Sequence, residues 1–355
     1  MKIYKNILSI STALLLTSSL YADQFAAAPG TKARGMGYAF SAVANNTSAA
    51  YYNPAGYVSD TPYITATIEF GDASSFDQTK NNTNVSGDIY DKDSQYFLGF
   101  GSFDQDGGWG ISMYSLFDVY ITNTDDTKVI HQSNEVIHLA FSYALNSRIS
   151  WGWGIAYVSK LFNSDEDANG VAEKHNGYEI YPYDSSGYFA NFGLLANVYK
   201  NDETGTKFTL SATYRTEGDL SEDETISGTT TNVEPFDIPE EKVVGAALLL
   251  NTDIASFLFT VDKKETTYTY PSYASSDTIA MGMEIGFDGF SIRAGKYDST
   301  PQDDDNTLSA KVTGATAGIN FKIGKVFWEL AVDNREIENI DKTNTFGSIS
   351  ANWAF

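Results

Sequence analysis

Two kinds of residue alternate along most of this chain, and that period of two is what most constrains its fold. Over 137–145 the odd positions are large and apolar while the even positions are small or polar, and the same holds over 149–157, where Trp151 and Trp153 stand beside Gly152 and Gly154. The ranges 208–215 and 279–287 repeat the pattern. Period two places the two sets on opposite faces of a β-strand. A continuous bulky apolar face opposite a small, polar face is typical of strands that cross lipid with the polar face inward.

The connections between these runs are sorted by length. We predict fourteen strands, near 63–70, 94–103, 108–118, 133–145, 149–161, 187–199, 206–217, 240–250, 254–263, 277–287, 290–297, 310–322, 325–334 and 345–355. The connections that follow the first strand alternate between long and short, with short ones at 104–107, 146–148, 200–205, 251–253, 288–289 and 323–324. Short turns on one side and long loops on the other are typical of outer-membrane barrels. Because lipid cannot satisfy backbone polar groups, such a sheet must close on itself.

The start of the chain predicts export. Lys2 and Lys5 precede a short apolar run over 7–16, and Ala22 is a small residue suited to cleavage, which together resemble a secretory signal peptide. The predicted organisation is therefore a signal peptide over 1–22, an irregular N-terminal segment over 23–60 and a barrel over 61–355. With no cysteine in the chain, lipid anchoring through a thiol and disulfide bonding are excluded.

Charge and histidine content exclude two classes of function. The formal net charge is −23, which would repel the phosphates of a nucleic acid. Of the three histidines, only His138 falls on a predicted inward strand face, four residues before Ser142. That spacing separates the two by roughly 13 Å along a strand, too far for a nucleophile and its base. We therefore predict no enzymatic activity and no catalytic residues. The composition alone also fits a secreted β-sandwich, but the sorted connections favour the barrel.

The segment before the first strand carries a resemblance to a known family. It contains Pro-Gly-Thr-Lys-Ala-Arg-Gly-Met-Gly over 29–37 and Ala-Ala-Tyr-Tyr-Asn-Pro-Ala-Gly over 49–56. These motifs resemble the FadL-type superfamily of outer-membrane transporters, and the PorV-like and TraF-like members most closely. The resemblance implies an all-β, fourteen-stranded antiparallel transmembrane barrel with an N-terminal hatch, or plug, inside the lumen. It also implies that a kinked strand and hatch movement open a lateral path. The implied hatch and gating residues are Arg34, Gly35, Met36, Gly37, Asn53, Pro54 and Ala55.

The resemblance implies passive uptake of small hydrophobic compounds. The expected location is the outer membrane of a Gram-negative bacterium, with both termini in the periplasm and with membrane lipid, lipopolysaccharide and a hydrophobic ligand as partners. The loops 163–186 and 217–237 are polar and acidic, unlike the apolar loops of fatty-acid transporters. That departure keeps an alternative open, in which the chain is a docking or assembly platform for an exported protein or for conjugative machinery. A fixed plug without a gating role is a further alternative for the Asn-Pro-Ala turn.

Three further predictions concern particular side chains. Glu284 and Arg293 lie directly opposite across the two-residue turn at 288–289 and predict a structural ion pair in the lumen. Arg215 is inward-facing without an obvious partner, so we predict that it contacts a ligand carboxylate, with a hatch salt bridge as the alternative. Asp165, Asp167 and Asn169 match the first half of a calcium loop, but the last ligand is missing. No resident cofactor is therefore expected beyond a divalent cation held loosely by acidic extracellular loops.

Overall fold

Antiparallel strand pairing accounts for almost all of the regular structure in a computed structural model of the chain. The model describes residues 28–73, 93–115, 118–122, 129–164, 174–175, 178–179, 183–222, 238–267, 275–302, 311–337 and 343–355. The predicted signal peptide and the predicted calcium ligands Asp165, Asp167 and Asn169 lie outside these residues. The strands are β1 (Tyr63–Ala73), β2 (Asp93–Phe103), β3 (Gly107–Tyr114), β4 (Asp118–Thr122), β5 (Val129–Ala144), β6 (Ile149–Ser164), β7 (Lys174–His175), β8 (Tyr178–Glu179), β9 (Tyr183–Asn201), β10 (Thr206–Arg215), β11 (Asp219–Glu222), β12 (Glu240–Asn251), β13 (Ser256–Thr267), β14 (Ser276–Phe287), β15 (Phe290–Pro301), β16 (Val312–Ile323), β17 (Val326–Ile337) and β18 (Thr343–Ala354).

The large sheet closes into a ring of fourteen strands. Neighbours in the chain pair with one another, and the ring closes where β1 pairs with β18. Two of the fourteen strands are each interrupted once, because β3 and β4 both pair with β5, and β10 and β11 both pair with β9. The pair β7 and β8 forms a separate two-stranded sheet. The fourteen-stranded antiparallel barrel predicted from the alternation is therefore confirmed.

Side-chain burial confirms the predicted facing of the strands. On β6 the residues at 152, 154, 156 and 158 are buried, whereas Trp151, Ile155 and Tyr157 are exposed. The exposed large apolar side chains include Ile137, Leu210 and Met281 from other strands. In a molecule whose interior is the lumen, this apolar outer surface is the face expected to meet lipid.

Several strands extend further than predicted toward the long connections. β13 continues to Thr267, β15 to Pro301 and β17 to Ile337, whereas the alternation predicts ends at 263, 297 and 334. The added residues are largely polar. Backbone pairing continues there without an apolar face, because the strands project beyond the height at which lipid requires one.

The interruptions of β3/β4 and β10/β11 are shifts of register that the alternation does not predict. Tyr114 pairs with Val136 and Asp118 with Ser133, so one extra residue is inserted relative to β5. A similar shift separates the pairing of Arg215 from that of Asp219 along β9. An extra residue in one strand is a β-bulge, which bends the strand locally.

The residues 28–58, called here the N-terminal segment, contain little regular structure. They form helix α1 (Thr31–Gly35), helix α2 (Ala49–Tyr52) and a 3₁₀ turn (Pro54–Tyr57). Most of their side chains are buried, and they contact inward-facing residues on strands all around the ring. Within the described residues, no helix has both the length and the hydropathy needed to cross a membrane.

The facing of β6 leads to a direct test by substitution. Trp153 points outward and its ring lies 5.2 Å from that of Phe141 on β5. We expect Trp153→Lys to destabilise the folded barrel by about 2–4 kcal/mol if the site lies near the bilayer midplane, and by less toward an interface. Trp153→Phe, which keeps an apolar ring in lipid, is the matched control. Heat-modifiable gel migration and urea unfolding in detergent would show the difference, and equal stability of the two variants would contradict the assigned facing.

Candidate functional site

Arg34 fixes the first helix of the N-terminal segment to the barrel wall. Its side chain is fully buried, and Nη1 lies 3.2 Å from Oε1 of Glu69 on β1. Nη2 donates to the side chain of Gln95 on β2 at 3.3 Å. The backbone N–H of Thr31 also donates to Glu69, at 2.7 Å. One buried ion pair and several hydrogen bonds therefore converge on a single wall carboxylate.

The predicted residues Gly35, Met36 and Gly37 lie against glycines of the wall. A Cβ on Gly282 would lie 2.3 Å from the carbonyl oxygen of Met36, and one on Gly295 would lie 2.2 Å from the amide nitrogen of Gly37. Gly282 and Gly295 pair with each other across β14 and β15, so together they form one recess. Gly37 also has φ +63°, a conformation that favours glycine. The Arg-Gly-Met-Gly motif thus places the backbone of the N-terminal segment directly against the backbone of the barrel wall.

Further along, the segment is held by two buried wall carboxylates. The Tyr38 hydroxyl donates to Asp333 at 2.9 Å, and Arg335 Nη2 lies 3.1 Å from the same hydroxyl oxygen. Burial raises the pKa of Tyr38, so its phenol stays protonated and remains a donor. The amide N–H and hydroxyl of Ser41 both donate to Asp262 on β13, at 2.8 Å and 2.7 Å.

The Asn-Pro-Ala turn occupies a second glycine recess, on the other side of the ring. The Asn53 side chain accepts from the amide of Ala55 at 3.1 Å and so caps the 3₁₀ turn that Pro54 begins. A Cβ on Gly193 would lie 2.0 Å from Asn53 Oδ1, and one on Gly152 would lie 2.5 Å from the carbonyl carbon of Pro54. Gly152 and Gly193 are cross-strand partners on β6 and β9.

Among the side chains that the structure describes, the inward-facing charges lie on one arc of the ring. On the arc from β10 through β18 to β1 they include Arg215, Glu241, Asp262, Lys264, Glu284, Arg293, Glu329, Asp333, Arg335 and Glu69. Over the described inward positions of 95–103, 108–114, 134–142, 150–158 and 187–195, no aspartate, glutamate, lysine or arginine occurs. We call the first arc the charged wall and the second the neutral wall. The segment's ion pairs are made with the charged wall.

An apolar cluster lies on the neutral wall, further toward the long connections than Gly152. It comprises Phe97, Tyr114, Val136, Ala156, Val158, Phe189 and Ile238, with Tyr51 of helix α2 packed against it. Barrel interiors are ordinarily polar, so an aromatic and aliphatic cluster on the inward face needs an explanation. Two register shifts of the wall occur beside it, one after Tyr114 and one close to Phe189, and a third lies between Phe208 and Thr209 on β10.

Arg215 has an ion-pair partner that the sequence did not reveal, while its predicted contact with a ligand carboxylate stays a prediction. Its Nη2 lies 2.9 Å from Glu241 Oε1 on β12, and Lys264 Nζ lies 3.3 Å from the same oxygen. The guanidinium lies 5.5 Å from the ring centre of Phe189 and 5.3 Å from that of Tyr51. Within the described part of the chain its Nε has no hydrogen-bond partner. Two cations thus share one carboxylate at the edge of the apolar cluster.

Glu284 and Arg293 are directly opposite in the register of β14 and β15, as predicted. The Arg293 Nε bonds to Glu284, and Nη2 lies 3.0 Å from Glu329 on β17. Lys32 of the N-terminal segment lies 3.8 Å from Glu284. This network links the segment to the charged wall, which agrees with a structural role for the pair.

His138 faces the lumen as predicted, and both of its ring nitrogens are engaged. Nε2 lies 3.1 Å from Asn191 Oδ1, and Nδ1 lies 3.2 Å from the Tyr114 hydroxyl. Ser142 does not contact the imidazole, and its hydroxyl has no hydrogen-bond partner among the residues described. The same residues hold no group of three or more potential metal ligands.

Sequence reasoning missed Asn191, Asp262 and the pairing of the wall glycines. The sequence did show small residues at alternate positions, such as Gly152 and Gly154. Their pairing with Gly193 and Asn191 depends on the register across the long connection between β6 and β9. No sequence signal fixes that register.

Comparison with known proteins identifies the fold. No protein-family model matches the sequence, and no curated protein matches it. Among solved structures, CymD, described as a monoaromatic hydrocarbon channel, has a TM-score of 0.62 at 13% identity, covering 92% of this chain and 97% of that one. The Ralstonia pickettii toluene transporter TbuX gives 0.60 at 12% identity, with coverage of 92% and 97%. A Pseudomonas aeruginosa FadL homologue gives 0.58 at 12% identity, with coverage of 95% and 99%.

The chain therefore has the fold of the FadL-type outer-membrane transporters. At identities of 12–13% the likeness concerns the fold. None of these three structures is described as PorV-like or TraF-like, so that finer resemblance stays a prediction.

Proposed function

We propose that the protein is an outer-membrane channel for the passive uptake of small hydrophobic compounds. The observation that carries the proposal is the apolar cluster on the inward face of the neutral wall. Such a cluster has no role in contact with lipid, and it supplies the apolar lining that hydrophobic ligands need. Two of the fold relatives named above are described as channels or transporters for monoaromatic hydrocarbons or toluene.

The distribution of charge supports one route through the lumen. Along the charged wall the N-terminal segment is held by buried ion pairs and charge-assisted hydrogen bonds, including those of Arg34 and Asp262. Separating the partners of these ion pairs and hydrogen bonds would cost free energy, because each charged group left alone would be poorly solvated. Along the neutral wall the contacts are van der Waals contacts and neutral hydrogen bonds, apart from the hydrogen bond from Arg34 to Gln95 at the edge of this wall. A hydrophobic compound would therefore pass between the segment and the neutral wall.

In this proposal the segment acts as the hatch, and its two motifs have different roles. The residues Arg34, Gly35, Met36 and Gly37 anchor it to the charged wall. The turn at Asn53, Pro54 and Ala55 faces the neutral wall and is the part that gates. At the two register shifts beside the apolar cluster the wall departs from a regular ladder, and these two places are our candidates for a lateral path into the membrane.

Arg215 is our candidate for contact with a polar group of the ligand, including a carboxylate. The Nε–H of the guanidinium has no hydrogen-bond partner among the described residues, and the guanidinium is buried beside Phe189 and Tyr51 and shares Glu241 with Lys264. Its ion pair with Glu241 means that a ligand would add to an existing network rather than neutralise an isolated charge. The predicted location in a Gram-negative outer membrane, with both termini in the periplasm, follows from this function. No described residue favours the docking platform over transport.

Uptake by cells tests the proposal. Cells expressing the protein should accumulate labelled toluene, hexadecane or oleate faster than cells with an empty vector. Val158→Asp should reduce uptake to the empty-vector rate, because it places a charge in the apolar cluster. Val158→Ala, which removes only methyl groups at the same position, should retain uptake. Uptake equal to that of empty-vector cells with all three compounds would refute the proposal.

A further inference from the structure

Pro54 leaves a carbonyl of helix α2 without its usual donor. Along this helix the N–H of Tyr52 bonds to Ser48 and the N–H of Asn53 bonds to the Ala49 carbonyl at 2.9 Å. The next N–H in the series, which would serve the Ala50 carbonyl, belongs to position 54 and is absent from proline. A buried carbonyl in this situation needs another donor. The barrel wall supplies it, because Asn191 Nδ2 on β9 donates to the Ala50 oxygen.

The orientation of Asn191 fixes the direction of the next two hydrogen bonds. Because its amide nitrogen is used on Ala50, its Oδ1 faces His138 and accepts from Nε2–H at 3.1 Å. In a neutral imidazole, a proton on Nε2 leaves Nδ1 as an acceptor. The Tyr114 hydroxyl, 3.2 Å away, therefore donates to Nδ1. Gly154 makes the arrangement possible, since a Cβ there would lie 2.4 Å from Asn191 Oδ1 and 2.7 Å from His138 Nε2.

The chain of hydrogen bonds connects helix α2 with the apolar cluster, in addition to the direct packing of the Tyr51 ring against the Tyr114 ring. One end is the helix that leads directly into the Asn53–Pro54 turn. The other end is Tyr114, whose ring is a member of the apolar cluster and whose strand shifts register immediately afterwards. All three linking side chains are buried, with Tyr114 and His138 at 0% exposure and Asn191 at 3%. Hydrogen bonds in such surroundings are strong and directional.

We infer that Tyr114, His138 and Asn191 form a latch that holds the Asn53–Pro54 turn against the neutral wall. A hydrophobic ligand entering the apolar cluster displaces the Tyr114 ring and thereby weakens the latch. His138 is a positioning residue in this scheme, because it sets the donor direction without itself contacting the ligand. The ligand-dependent part rests on the proposed function, whereas the latch itself does not.

Cysteine labelling can test the latch, since the chain has no native cysteine. In an Ala55→Cys background, a water-soluble maleimide reports how often the turn leaves the wall. We expect Asn191→Ala to raise the labelling rate about tenfold, because it leaves the Ala50 carbonyl buried and unpaired. Tyr114→Phe and Gly154→Ala should raise it about threefold or more. Ser112→Ala is the matched control, since it removes a buried inward hydroxyl that has no hydrogen-bond partner in the described structure.

Heat-modifiable migration shows which variants form the barrel. If Asn191→Ala does not form the barrel, the conservative variant Tyr114→Phe still tests the latch. In a Pro54→Ala background the N–H at position 54 can serve Ala50, so Asn191→Ala should change labelling less than twofold. The latch would be overturned if Tyr114→Phe and Gly154→Ala were labelled no faster than Ser112→Ala. It would also be overturned if Asn191→Ala raised the labelling rate as much in the Pro54→Ala background as it does without that substitution.

Toluene separates the latch from the proposed function. Added to the Ala55→Cys protein, toluene should increase labelling, and Tyr114→Phe should abolish that increase while calorimetry still shows toluene binding. Binding without any change in labelling would overturn the ligand-dependent part. Absence of binding for toluene, hexadecane and oleate would count against the proposed function, and the ligand-free labelling rates would still decide the latch.

Discussion

Deletion of residues 23–60 should convert the protein into an open channel without unfolding the barrel. A ring of fourteen strands is wider than its own side chains can fill, and the glycine recesses at Gly152 and Gly193 and at Gly282 and Gly295 would be left empty. The outward apolar faces and the strand ladder do not involve the deleted residues. Glu69 and Asp262 would lose their partners in the segment, but the water that replaces it would solvate them.

Planar bilayers would measure the effect of this deletion. We expect discrete conductance steps that the full-length protein does not show, together with unchanged heat-modifiable migration. Hydrophobic-compound uptake in cells should then lose its sensitivity to Val158→Asp, because solutes would no longer be confined to the neutral wall. A folded deletion variant with the conductance of the full-length protein would show that the N-terminal segment does not occlude the lumen.

Replacing Arg34 by leucine should release helix α1 from the charged wall. Glu69 would remain buried with only backbone donors, and removing one member of a buried ion pair typically costs about 3–5 kcal/mol. In an Ala33→Cys background this loss corresponds to a rise in maleimide labelling of about 10²–10⁴-fold.

Two controls separate this effect from a general loss of charge. The double variant Arg34→Leu, Glu69→Leu removes both partners and should restore slow labelling, since a buried pair can be replaced by apolar residues at little cost. Lys200→Met breaks the pair with Asp60, whose side chain is 70% exposed. That pair should contribute about 1 kcal/mol or less. If Arg34→Leu labels no faster than Lys200→Met, Arg34 does not anchor the segment.

Arg215 and Arg293 show what sequence can and cannot predict about this lumen. The partner of Arg293 is predictable, because β14 and β15 are joined by a two-residue turn that fixes their register. The partner of Arg215 is Glu241, which lies beyond the long connection between β11 and β12. Nothing in the sequence specifies how β10 and β12 align after such a loop, so the ion pair could not be foreseen.

The strands were predictable for a related reason. Alternation is a property of each strand alone, and lipid imposes it strictly on the outward face. The N-terminal segment has no such period, and its motifs become interpretable only against the glycines and carboxylates that receive them. The register shifts after Tyr114 and Arg215 were also missed, because a single inserted residue leaves most of the apolar face unchanged.

The position of Arg34 also bears on how the ring is completed. β1 and β18 lie at opposite ends of the barrel sequence, so their pairing carries a larger loop-closure entropy than any hairpin in the sheet. The segment bridges this junction, because Arg34 bonds to Glu69 on β1 while Tyr38, four residues later, bonds to Asp333 on β17 beside β18. While docked, the segment holds both edges of the open sheet near each other. In the closed ring it therefore ties β1 to β17 across the joint at which the barrel closes.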